Sequence, residues 1–108
     1  MTRFGVSEDI LGKISGVMAK FHGVRKAVIY GSRARGDFKN QSDIDIAVYA
    51  PGMSHADFLA LLSALDDLPV IFQIQAVHFD TLENNGIKGK IERDGVEFYA
   101  SRRLQAQV

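Results

Sequence analysis

Asp43 and Asp45 are the first residues of this chain whose type and spacing could do chemistry. They lie one residue apart in the stretch SDIDIAVYA, where apolar residues alternate with acidic or small ones. Carboxylates at i and i+2 of a strand leave the same face. Together they can hold a hard divalent cation such as Mg²⁺, which takes few protein ligands and completes its shell with water and phosphate oxygens. Without a cation, two like charges this close oppose each other's ionisation. A solvated strand face is the plainer alternative for an isolated D-x-D, although Asp is disfavoured in strands.

Upstream, Gly31 and Ser32 follow the β-branched and aromatic run VRKAVIY. A glycine there lets the chain turn tightly and approach a ligand with its backbone. The serine hydroxyl and neighbouring N–H groups suit phosphate oxygens. Arg33 and Arg35 add guanidinium forks that match phosphate, though each taken alone reads first as a solvated loop residue. A phosphate-holding turn leaving one strand, with paired carboxylates on the next, would bring a nucleoside triphosphate and Mg²⁺ together.

The elements that must position these residues are legible in outline. Ser7, followed by Glu8 and Asp9, reads as a helix start. Ile10, Leu11, Ile14, Val17, Met18 and Phe21 recur at helical spacing, with Gly23 placed to end the helix. Residues 24–30 read as a strand, 32–42 as a polar loop and 42–50 as a second strand. In that second strand, Asp43, Asp45 and Ala47 lie on one face and Ile44, Ile46 and Val48 on the other. Ser54 opens a second helix with the stripe Phe58, Leu61, Leu62 and Leu65. Residues 70–77 read as a third strand. Residues 79–95 hold a weaker helix interrupted by Gly86 and Gly89, and 96–100 a last short strand. The order is α-β-β-α-β-α-β, with a loosely ordered tail over 101–108.

G-S-x(10)-D-x-D, here Gly31, Ser32, Asp43 and Asp45, resembles the signature of the DNA polymerase beta nucleotidyltransferase superfamily. The fuller run GSRARGDFKNQSDIDIAV is similar to the minimal nucleotidyltransferases (MNT) of prokaryotes, and IERDGVEFY resembles that family's ending. The resemblance implies an α+β fold: a small mixed sheet with helices mainly on one face, forming a single domain over residues 1–108. It further implies that Gly31 and Ser32 hold ATP's triphosphate, that Asp43 and Asp45 bind Mg²⁺, and that Arg33 or Arg35 neutralises phosphate charge. The family transfers a nucleoside monophosphate, typically AMP from ATP. In toxin–antitoxin pairs it modifies a tyrosine of a separately encoded helical HEPN-type protein.

The same resemblance implies a third carboxylate on the strand after the second helix. Aligning Leu68-Pro69 with the family's Leu-Pro puts Gln73 there, with Gln75 further along the same face. A neutral carboxamide cannot accept a proton, so transfer is weakened more than nucleotide binding. A binding-only antitoxin that masks its partner, and a nucleotide sensor, are the alternatives. His78, at the end of that strand, has the best claim of the three histidines to act as a base, with a plain structural position the alternative. His22 and His55 read as structural and exposed respectively. Asp80 and Glu83 lie just beyond the strand as conceivable replacements for the missing acid.

The totals limit the other classes. The 108 residues are 46% hydrophobic and 24% charged, with no cysteine and a formal net charge of zero. A broad nucleic-acid footprint is absent, so an anion site must be local. Disulfides and thiolate metal sites are excluded. No apolar run approaches the roughly 20 residues that span a bilayer, and the opening residues have no signal-peptide core, so a cytoplasmic setting is expected.

Overall fold

Two consecutive positive-φ residues, Phe4 (60°) and Gly5 (71°), reverse the chain between β1 (Thr2–Arg3) and β2 (Val6–Ser7). This hairpin goes beyond the expected elements, because two-residue strands have no alternation to read. It is seen in a computed structural model that describes residues 2–83 and 86–101. The tail beyond Ser101, expected to be loosely ordered, lies outside the described residues.

Ser7 caps α1 (Glu8–Lys20), its hydroxyl accepting from the Ile10 amide at 3.2 Å. Leu11, Ile14, Val17 and Met18 form its buried face. The helix ends at Lys20, ahead of the expected Gly23, and the Phe21 amide bonds the Met18 carbonyl. β3 (Lys26–Tyr30) follows, then a single helical turn, α2 (Ser32–Arg35), where a loop was expected. Glycine stands at both ends of that turn: Gly31 at φ 77° and Gly36 at φ 91°. β4 (Ile44–Tyr49) leads to α3 (His55–Asp66), capped by Ser54, whose hydroxyl accepts from the Asp57 amide.

β5 (Ile74–His78) is shorter than the expected strand, which began at Val70. A 3₁₀ turn over Phe79–Thr81 follows it. α4 (Gly86–Asp94) then runs unbroken through Gly89, contrary to the expected interruption, and β6 (Val96–Ala100) closes the fold. Tertiary burial explains the continuity: Ile91 packs on Val28 and Ala47, which outweighs the roughly 1 kcal/mol penalty of a helical glycine.

The four-stranded sheet runs β5-β4-β3-β6. β3 pairs antiparallel with β4 and β6, and β4 pairs parallel with β5, so the sheet is mixed as expected. Ile44, Ile46 and Val48 are buried in the larger core with α1 and α3 residues. Val28 and Ala47 face the opposite way, beneath α4. The alternation read from the sequence thus holds along β4, and it leaves Asp45 on the face that α4 covers only in part. Among the described residues no helix is long and apolar enough to cross a membrane.

Candidate active site

Tyr30, the last residue of β3, pairs directly with Asp45 of β4. The chain then turns at Gly31, and a Cβ added there would lie 2.9 Å from Asp45 Oδ2. Gly31 therefore has two reasons to be glycine: its positive φ and the carboxylate against its Cα. This contact brings the two halves of the Gly-Ser and Asp-x-Asp pattern together. Ser32 opens α2 immediately beyond, and its carbonyl accepts from the Gly36 and Asp37 amides at 2.9 and 3.2 Å.

Asp43 and Asp45 are both half-buried. Burial and the Asp43 charge push the Asp45 carboxyl above its usual range, and the Arg33 guanidinium partly offsets them. The Tyr30 phenol is likewise raised, first by burial and then by Asp45. Negative charge is thus concentrated at the β3–β4 end of the sheet, which suits a bound cation.

Gln75 is the side chain that meets this pair from β5. Its residue pairs with Asp45 across the parallel ladder, and its Nε2 donates to Asp43 Oδ2 at 3.0 Å. Gln73 precedes the strand, its side chain exposed and its main-chain carbonyl accepting from the Ile44 amide at 2.9 Å. The position facing the carboxylates is therefore two residues beyond the one that Leu-Pro alignment selects. Strand register, which short-range sequence does not carry, makes the difference.

The two arginines separate sharply. Arg33 is 2% exposed, and its guanidinium donates to the carbonyls of Phe4, Asn40 and Ser42. With its donors turned to the protein's own backbone, it is corrected from a phosphate ligand to a buried structural cation. Arg35 stays accessible, paired with Asp37 at 3.1 Å and Asp94 at 3.5 Å. Asp94 is held below the usual carboxylate range by Arg93 and, less strongly, by Arg35.

His78 and Asp80 are not at this site. His78 ends β5, four residues along from Ile74 or roughly 13 Å at strand spacing, and Asp80 lies beyond it in the 3₁₀ turn. His78 stacks on Phe58, and its Nε2 bonds the Ala50 carbonyl at 2.8 Å. Asp80 accepts from the Ala50 amide at 2.6 Å. These contacts give both residues a structural role.

Two carboxylates on one strand face, one of them against the Gly31 turn, fit one hard cation whose shell is completed by water and substrate oxygens. Among the described residues, no group of three or more acidic, histidine or cysteine side chains could hold a metal without such help. The donor set thus suits a metal brought in with a nucleotide better than a resident one.

Comparison with known proteins agrees with this geometry. The family model described as polymerase beta, nucleotidyltransferase matches residues 12–103. A Methanocaldococcus jannaschii protein provisionally described as a protein adenylyltransferase is 41% identical over 61 residues, covering 56% of this chain. The aligned part is 64% of that relative's own length, short of two thirds. The fold is similar to that in a toxin–antitoxin crystal structure with AMP-PNP (TM-score 0.63, 19% identity, 89% of this chain and 78% of that one). It is also similar to a Sulfolobus solfataricus structure provisionally described as a nucleotidyltransferase (TM-score 0.56, 24% identity, 86% and 78%). At these identities the structures speak for the fold alone. The family match is broader: it runs from within α1 to beyond β6 and takes in the Gly31 turn and both carboxylates, so the chain belongs to the polymerase beta nucleotidyltransferase family.

Proposed function

We propose that this chain is an MNT-type antitoxin that binds ATP with Mg²⁺ and directs AMP to a hydroxyl of a HEPN-type protein partner in the cytoplasm, as a single domain. The observation that carries this reading is the Asp45 carboxylate lying against the Gly31 turn, with Asp43 on the same strand face. Gly31 and Ser32 hold the triphosphate, Arg35 is the accessible cation beside it, and Asp43 and Asp45 hold the Mg²⁺. Bound there, the metal would neutralise phosphate charge and favour the departure of pyrophosphate.

In the transfer, the partner's hydroxyl oxygen forms a bond to the α-phosphorus. The bond from that phosphorus to the bridging oxygen breaks, and pyrophosphate leaves with the electron pair. The hydroxyl proton passes to solvent water, since the carboxamides of Gln75 and Gln73 cannot accept it. Removing one electrostatic contributor from such a site lowers the rate by about 10²–10³. Binding therefore survives better than turnover. The hydrogen bond from Gln75 to Asp43 favours a second reading, in which the nucleotide-loaded chain neutralises its partner by masking it.

Labelled ATP, Mg²⁺ and a co-expressed HEPN-type partner test both readings, with D43N, D45N, Q73D and Q75D beside the unaltered chain. Slow label transfer that is abolished by D43N or D45N and accelerated by Q75D supports the transferase. Transfer from Q75D but not from the unaltered chain supports masking. If Q73D rather than Q75D restores transfer, the register argument is wrong. If no variant binds ATP with Mg²⁺, both nucleotide readings fall.

A further inference from the structure

We propose that Arg33 is a positioning residue whose buried guanidinium fixes the backbone just ahead of Asp43 and thereby aims the carboxylate pair. The inference rests on the reading of Asp43 and Asp45 as cation ligands. Its own observation is different: one buried cation joins three segments that are otherwise far apart in sequence. Arg33 Nη1 donates to the Phe4 carbonyl at 2.9 Å, in the turn of the N-terminal hairpin. Nε and Nη2 both donate to the Ser42 carbonyl, at 3.1 and 2.8 Å, and Nη2 makes a longer contact of 3.4 Å with Asn40. The rings of Phe38 and Phe72, 4.8 and 4.7 Å from the guanidinium carbon, receive the cation.

Ser42 is the residue before Asp43, so the guanidinium grips the peptide that leads into the pair. The Ser42 hydroxyl also accepts from the Lys39 amide at 2.9 Å, which holds the same residue from the loop side. On the other flank, the hairpin is shaped to reach Arg33. Gly5 has φ 71°, and a Cβ there would lie 2.3 Å from the Phe38 ring and 3.0 Å from Arg33 Nη1. A buried guanidinium is costly unless its donors are satisfied, and here carbonyl oxygens satisfy them, with no carboxylate among the described residues in contact. Its charge still reaches Asp45, where it opposes the effect of Asp43. Lysine could supply that charge but not the fork that bonds several carbonyls at once.

Mn²⁺ alone, titrated into the full chain labelled with ¹⁵N, tests the proposal. In the unaltered chain, Mn²⁺ should broaden the amides of Gly31, Asp43 and Asp45 first. Residues that orient metal ligands from outside typically change affinity by about 10–100-fold, and R33M should weaken Mn²⁺ binding by at least the lower figure. R33K should weaken it nearly as much, because the fork rather than the charge holds Ser42. F72L removes one of the two rings against the guanidinium and keeps every donor, so it serves if R33M fails to fold, and a loss of a few fold is then expected. Unchanged Mn²⁺ affinity in a folded R33M, or in F72L where R33M does not fold, overturns the proposal. Full retention in R33K would overturn positioning in favour of a purely electrostatic effect. If Mn²⁺ alone broadens nothing in the unaltered chain, the pair holds no cation without a nucleotide and the metal titration gives no comparison. Amide exchange over residues 40–45 then decides whether Arg33 fixes that backbone: faster exchange in the variants supports it and unchanged exchange overturns it.

Discussion

Two half-buried carboxylates on one strand face repel each other, and Asp45 bears the consequence. Its carboxyl is raised by burial and by Asp43, with Arg33 only partly offsetting them. A folded-state pKa above the unfolded value means that the native state binds this proton more tightly. The resulting stability is fully present below the unfolded value, about pH 3.9, and is lost as pH rises through the folded value. Asp45→Asn carries no charge at any pH, so in EDTA it should melt above the unaltered chain at neutral pH. That advantage should shrink as the pH falls toward about 4. Equal melting temperatures at pH 7 would mean that the pair is not strained when metal-free. Gly31 belongs to the same local arrangement, since its Cα lies where a larger residue would strike the Asp45 carboxylate.

The elements differ in how much of their placement short-range sequence could carry. α4 is the clearest case, because its two glycines argued for a break and the helix nonetheless runs from Gly86 to Asp94. Gly89 is exposed, and a Cβ added there would meet nothing within 4 Å. Gly89→Ala should therefore remove a helical glycine penalty and stabilise the chain by about 1 kcal/mol. A denaturation midpoint that fails to rise would show that α4 contributes little to the cooperative fold. The caps at Ser7 and Ser54, the face alternation of β4 and the meeting of Gly31 with Asp45 were legible because each depends on neighbours in sequence or on one hairpin-like pairing. The place of Gln75 is less legible, since it depends on the parallel register of β5 against β4. The burial of Arg33 is not legible, because Phe4, Phe38 and Phe72 come to it from three different segments.

At the scale of the whole molecule, a formal net charge of zero leaves no general attraction for a polyanion. Affinity for a nucleoside triphosphate must then come from one end of the sheet, and it should depend on the metal. A ligand that binds only the native state stabilises by about 2.7 kcal/mol at 100 times its dissociation constant. For a domain of this size that is a rise in melting temperature on the order of 10 °C. ATP with Mg²⁺ should produce such a rise, and ATP with EDTA a much smaller one, because Asp43 and Asp45 repel phosphate until a cation lies between. Asp43→Asn removes half of that charge, so it should shrink the Mg²⁺-dependent increment while leaving the metal-free response intact or slightly larger. An ATP response equal with and without Mg²⁺, and unaffected by Asp43→Asn, would place the nucleotide away from the carboxylates. The Gly31–Asp45 contact would then be a feature of the fold alone.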